Sequence, residues 1–269
     1  MRKLKKLLGN PRRYIPVARK MLLQTLCPLL HRTSFFLQGQ MDIHPLSRWH
    51  VPEFSSATGG FSPPNDARPI LDLEPHDNTR RDMLALLLRT VLTNKIDGAF
   101  AEVGVYKGRT ARLIHKYAPE RPLHLFDTFE GFTTRGAEAE NRNTQHVVQA
   151  TEFSDTSLEA VRAYIRPSNS VYFHPGFFPD SIPSELYAER FAFVQLDADL
   201  YEPILEGLKF FYPRMSKHGI ILVHDYNAWP GARKAVDEFF AGKPELVIPM
   251  PDKSGSALIV RAAGSQAVR

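Results

Sequence analysis

From Thr79 to Ile96, the apolar positions Met83, Leu84, Leu87, Leu88, Val91 and Leu92 recur at the spacing of one helix face. Beyond Ala99 the pattern changes. Short apolar runs, "AFAEVGV", "PLHLFD", "SVYFHPG", "FAFVQLD" and "GIILVHD", read as strands. Between and after them, helical patterning predicts helices near residues 109–117, 157–166, 201–215 and 231–241. The closing runs "PELVIPM" and "SALIVRA" predict a hairpin. Helices alternating with near-continuously apolar strands imply an α/β fold, a mostly parallel sheet covered on both faces. Such sheets bind ligands beyond the carboxyl ends of their strands. Glu102, Asp127, His174, Asp197, His224 and Asp225 all fall at or near those ends.

Upstream, the pattern gives out. Residues 38–79 include "DIHPLSRWHVPEFSSATGGFSPPNDARP", rich in Pro, Gly and Ser and without sustained periodicity, so they read as a connecting or lid segment. Residues 1–37 form a basic extension, and the α/β domain is assigned to 80–269. The net charge of +5 belongs to that extension: residues 1–32 carry nine Lys and Arg and no acid. Removing those nine from 34 leaves 25 basic residues against 29 acidic ones. A nucleic-acid-binding core is therefore not indicated. "MLLQTLCPLL", from Met21 to Leu30, is too short to span a bilayer, and a good cleavage site does not follow it. A plain surface extension, a peripheral membrane contact through residues 1–37 and a targeting peptide all stay open. A single cysteine, Cys27, excludes an internal disulfide framework and fits a cytoplasmic protein, with membrane association open.

The stretch "DGAFAEVGVYKGRTARLIHKY" carries the first chemistry. Gly104 and Gly108 permit a tight turn and close approach of a ligand before a helix begins near Arg109. The spacing is acid-x-Gly-x-x-x-Gly, not the G-x-G-x-x-G of dinucleotide binding. Glu102 beside the turn suits a cationic group, and Asp127, at the next strand exit, suits ribose hydroxyls. S-adenosylmethionine has both an ammonium and a ribose. Tyr106, Thr110 and Thr128 join Glu102, Gly104, Gly108 and Asp127 as candidate cofactor contacts. The alternative is a chance strand-end acid beside ordinary turn glycines.

"FAEVGVYKGRTA", "LFDTFEGF" and "FVQLDADLYEPILEGLKFFYPRMSKHGIILVHDYNAWPGARKAVDEFF" resemble the macrocin O-methyltransferase family over residues 80 to 261. The resemblance implies a Rossmann-like class I methyltransferase fold, S-adenosylmethionine as donor, and a divalent metal, magnesium or manganese, beside a sugar hydroxyl. It makes Asp197, heading "DADLY", a catalytic metal ligand, with further ligands in "HDY", and places a catalytic histidine near the acceptor, at His146 in "RGAEAENRNTQHVVQ". A solvated loop histidine is the competing reading of His146. Asp197 has its own, as a helix cap.

Where the family pattern has Asp-Asp-Tyr, this chain has His224-Asp225-Tyr226. Imidazole suits manganese, iron, cobalt or zinc better than magnesium. His224 therefore binds a softer metal, supports ligands from outside, or marks a site without an ion. Trp229, in the loop after Asp225, reads as an acceptor wall, with core packing as the alternative. His174 reads as structural or near the adenine. Overall the expectation is O-methylation of a hydroxyl on a sugar, glycoside or related natural product, by a homo-oligomer with a small-molecule or saccharide acceptor. The alternatives are a metal-dependent phenol or catechol O-methyltransferase, a nicotinamide-dependent oxidoreductase, and a non-catalytic binding protein on the same fold.

Overall fold

The computed structural model describes residues 77–262. The expected basic extension, and all but the last three residues of the connecting segment, lie outside the described residues.

Helix α1 (Asn78–Thr93) opens the described chain, capped by Asp77, whose carboxylate accepts the Arg80 N–H. There follow β1 (Ala99–Val103), α2 (Arg109–Tyr117), β2 (Leu123–Asp127), α3 (Thr134–Asn143), α4 (Leu158–Ile165) and β3 (Val171–Pro175). The second half comprises β4 (Phe191–Leu196), α5 (Tyr201–Phe211), β5 (Met215–Val223), α6 (Pro230–Phe240), β6 (Ile248–Pro249) and β7 (Ala257–Val260). The sheet order is β3-β2-β1-β4-β5-β7-β6. The first five strands are parallel, and β7 runs antiparallel to both β5 and β6. This is the class I methyltransferase architecture expected, closing hairpin included.

Side-chain alternation sorts the core onto two faces. Phe100, Ile220 and Leu222 pack with Leu84 and Leu88 of α1 and Leu113 and Ile114 of α2. Ala101, Val194 and Ile221 pack with Ile204 and Leu208 of α5 and Val236 of α6. β1 and β4 are buried along their whole length, as central parallel strands must be. Because β1 is flanked by β2 on one side and β4 on the other, the chain order reverses there. The crevice that results opens at the carboxyl ends of these strands.

Two boundaries differ from the pattern-based expectation. The helix expected over 201–215 ends at Phe211; a 3-10 turn with Pro213 at its second position intervenes, and β5 already starts at Met215. More consequentially, the polar loop around "RGAEAENRN" is helix α3. Thr133 caps it by accepting the Gly136 N–H, and it buries Ala137, Ala139 and Glu140. With only small apolar residues on its inner face, it carries too weak a periodic signal to stand out. Among the described residues, no helix is long and apolar enough to cross a membrane.

Candidate active site

The exit of β1 is built around backbone that few side chains would allow. Gly104 has φ +87, and a Cβ there would lie 2.3 Å from the Asp197 carbonyl oxygen. This glycine lets the first loop pass directly against the end of β4. Tyr106 (φ +49) and Gly108 (φ +76) complete a turn with successive amides facing inward, and α2 starts at Arg109. Asp127, ending β2, holds this turn. Its Oδ2 accepts N–H groups from Val105 at 2.6 Å and Tyr106 at 2.9 Å, while Oδ1 accepts the Phe129 N–H at 2.6 Å. The Tyr106 hydroxyl and Lys107 ammonium both reach Asp155, and Thr156 donates to the Tyr106 carbonyl, so residues 155–156 clasp the loop from outside.

Above these strand ends lies a cavity of about 400 Å³. Gly104, Tyr106, Thr110, Asp127 and Thr128 line one part of it. Asp197, Asp199, His224, Asp225 and Trp229 line the other. Phe132 and Phe153 extend the wall beside Trp229, with ring centroids 5.9 Å apart for Phe132–Trp229 and 5.0 Å for Phe132–Phe153. Residues from the ends of four strands thus share one space.

Glu102 does not lie on the cavity wall. Its side chain is fully buried, with Oε1 taking hydrogen bonds from Thr110 Oγ1 and, at 3.0 Å, from Gln195 Nε2, its register partner on β4. Burial pushes its pKa up to about 8, against the hydrogen bond from Thr110, so the acid is mostly neutral at pH 7. The structure places the carboxyl expected to face a cationic group as a buried acid beneath the turn. It joins the turn to the second cluster, because Gln195 Nε2 also lies 3.3 Å from Asp197 Oδ2.

At the second cluster, His224 Nδ1 stands 2.7 Å from Asp197 Oδ1 and 2.6 Å from Asp225 Oδ2. Arg80 of α1 pairs with the remaining oxygen of Asp197. Although burial opposes a charge on His224, Asp197 and Asp225 raise its pKa to about 10. Burial likewise opposes the Asp197 and Asp225 charges. Even so, Arg80 and His224 hold Asp197 below the usual carboxylate range, and hydrogen bonds from His224 and Asp199 take Asp225 down to about 2. Asp199 goes the other way: burial, its hydrogen bond to Asp225 and the charge of Asp197 push it well above the usual range.

Ligand atoms of Asp197, His224 and Asp225 lie within 4.8 Å of one another. Two carboxylate oxygens and an imidazole nitrogen form a donor set that fits a divalent ion, manganese, cobalt or zinc better than magnesium. To bind through Nδ1, such an ion would have to replace its proton, and Arg80 would have to share Asp197.

His146 is not on the cavity wall. Its ring meets Trp229 edge-to-face at 4.8 Å, and its Nδ1 is buried without a hydrogen-bond partner. The structure thus sets the His146 ring against Trp229, itself on the cavity wall, and not directly on that wall. His174 is also off the wall, paired at 3.0 Å with His124 and stacked on Phe126. Arg80 and Asp199 escaped the sequence reading. Arg80 lies 117 residues before its partner and carries no local signal. Asp199 was visible as the second acid of "DADLY".

The profile of the macrocin-O-methyltransferase (TylF) family matches residues 67–252. The 8-demethyl-8-(2,3-dimethoxy-alpha-L-rhamnosyl)-tetracenomycin-C 4'-O-methyltransferase of Streptomyces olivaceus is 28% identical over 198 residues, spanning 70% of this chain and 75% of its own. The mycinamicin III 3''-O-methyltransferase of Micromonospora griseorubida is 30% identical over 172 residues, spanning 60% and 67%. Among solved structures, the O-methyltransferase NovP superposes with a TM-score of 0.59 at 25% identity, covering 69% of this chain and 81% of its own.

Proposed function

The chain belongs to the macrocin-O-methyltransferase family, and from that premise we propose that it methylates a hydroxyl of a sugar or glycoside, with S-adenosylmethionine as donor. The observation that carries this reading is the single cavity shared by the Gly104–Asp127 turn and the Asp197–His224–Asp225 cluster. The relative named as a methyltransferase of a rhamnosyl-tetracenomycin supports the acceptor class.

In this reading Asp127 accepts hydrogen bonds from the ribose hydroxyls, and the turn from Gly104 to Gly108 receives the methionine end. Tyr106, Thr110 and Thr128 shape the walls between them. Trp229, with Phe132 and Phe153, offers a flat apolar face to the sugar ring. The acceptor hydroxyl then sits against Asp197 and Asp225, in line with the methyl group and sulfur; most of the rate gain comes from that alignment. An alcohol becomes strongly acidic as its oxygen takes the methyl group. Asp197 or Asp225, though a weak base, can accept the departing proton once that acidity has developed. Asp199 and His224 fix the orientation of those carboxylates. Asp197, His224 and Asp225 would hold a divalent ion, which when bound supplies positive charge to stabilise the developing alkoxide.

A thermal-shift comparison with S-adenosylhomocysteine and NAD tests the donor, since only a ligand that binds the native state raises its stability. Stabilisation by NAD and not by S-adenosylhomocysteine would overturn the reading in favour of an oxidoreductase. Methyl-labelled donor, offered with glycosides and with phenols, then separates the sugar reading from the phenolic one. Excess chelator should suppress turnover while leaving S-adenosylhomocysteine affinity intact. Full turnover by a demonstrably metal-free protein would remove the ion from the proposal and leave proton transfer to the carboxylates alone.

A further inference from the structure

Glu140 is a fully buried acid in α3, and no basic side chain among the described residues pairs with it. Its partners are elsewhere. Oε2 accepts the backbone N–H of Tyr201, the first residue of α5, at 2.8 Å. Oε1 accepts the hydroxyl of Thr144 at 3.2 Å. A Cβ built on Gly231, the second residue of α6, would fall 2.0 Å from Oε2 and 2.5 Å from Oε1. The carboxylate is thus seated against the starts of two helices at once.

α5 donates to it through Tyr201, and α6 packs on it at Gly231. Leu200 and Trp229, at their N-cap positions, offer no side-chain cap, so the first-turn amides lack the usual local acceptor. An acceptor oxygen placed between two helix N-termini lies at the positive end of each macrodipole. α5 follows directly from the loop carrying Asp197 and Asp199, and α6 from the loop carrying His224, Asp225 and Trp229. The same, C-terminal end of α3 is tied to α6 a second time, because Lys234 of α6 donates to the Asn143 carbonyl at 2.9 Å.

We propose that Glu140 is a positioning residue for methyl transfer: one buried carboxylate joins the starts of α5 and α6 and so sets the spacing of Asp197 against His224 and Asp225. It touches neither donor nor acceptor. The cofactor turn is held separately, by Asp127 and β1, so Glu140 governs turnover and leaves donor binding alone. The assignment to turnover rests on the proposed function; the joining of the two loops does not.

The test uses Glu140→Ala, Glu140→Gln and Gly231→Ala in the full chain, singly and with Glu140→Ala combined with Gly231→Ala. A shift of about 1 Å in reacting groups can cost on the order of 100-fold in rate. Glu140→Ala and Gly231→Ala should therefore lower kcat by roughly 10- to 100-fold. KM should change little, and S-adenosylhomocysteine affinity should stay near that of the unaltered protein. Glu140→Gln keeps an acceptor oxygen for Tyr201 and should restore much of the loss. Because Gly231→Ala acts by evicting the carboxylate, it should cost nothing further once Glu140 is already alanine. A purely structural role predicts a lower Tm in every variant with unchanged kcat per donor-binding site, and that result would overturn the proposal. So would full additivity of the two substitutions.

Hydrogen exchange supplies a readout that needs no turnover. In Glu140→Ala, amides of both 198–203 and 226–233 should exchange faster, while those of β1 and β2 keep their protection. Loss confined to α3 would refute the joining of the loops. If the unaltered protein transfers no methyl group, yet both segments loosen together, the proposed reaction fails and the joining stands.

Discussion

Asp127→Asn is the most informative single change, because it separates two duties of one carboxylate. Both oxygens are occupied by backbone donors: Val105 and Tyr106 on Oδ2, and Phe129 on Oδ1. A carboxamide has one acceptor oxygen, so in its better orientation it keeps the first pair and turns an NH2 toward the Phe129 N–H. Leaving that donor unmet costs about 1–3 kcal/mol. The two retained bonds lose their charge assistance, about 1 kcal/mol each by the difference between charged and neutral hydrogen bonds. Asp127 is half-buried, which screens part of this and favours the lower end, about 3 kcal/mol in all. For a domain of this size, that corresponds to a Tm about 6–12 °C lower. S-adenosylhomocysteine binding should also weaken by about 1–3 kcal/mol, roughly 5- to 150-fold in Kd, as charged acceptors for the ribose hydroxyls are lost. Differential scanning calorimetry reads the first effect and isothermal titration calorimetry, below the new Tm, the second. Unchanged affinity would refute the ribose assignment. An unchanged Tm would refute the claim that this carboxylate holds the turn.

Two other outcomes follow from the same region. Gly104→Ala places a Cβ 2.3 Å from the Asp197 carbonyl at φ +87, so it should destabilise the protein by about 2–4 kcal/mol in urea unfolding, and a loss under 0.5 kcal/mol would show that the loop can yield. Glu102 has a folded pKa of about 8, above its unfolded value of 4.5, so its contribution is fully present below pH 4.5 and is lost as pH rises through 8. Glu102→Gln cannot ionise. Its stability relative to the unaltered protein should therefore rise between pH 5 and 9, and a pH-independent difference would refute burial of an ionisable acid at this position.

What the chain order alone determined was the layer plan and the end of the sheet that carries the chemistry. Buried parallel strands need continuous apolar runs, and "AFAEV" and "FAFVQL" supply them within a few residues. Both the turn after β1 and the acid ending β2 were legible for the same reason: Gly104, Gly108 and Asp127 each act within a short stretch of backbone. The resemblance of "DADLY" and "HDY" to one family brought Asp197 and Asp225 into the candidate site before any coordinates did.

Only the tertiary structure decided which polar groups face the cavity and in what protonation state. Glu102 reads as a ligand-facing acid, but desolvation beside Thr110 and Gln195 makes it a neutral group beneath the turn. His146 reads as a base near the acceptor, and folding sets its ring against the edge of Trp229. Arg80 and Glu140 carry no local pattern that announces their roles, since Asp197 lies 117 residues from the one and Tyr201 lies 61 from the other. Periodicity reports whether a side chain turns toward the core. It cannot report which distant charge or helix start will be waiting there, because ionisation and capping depend on groups the chain brings together only on folding.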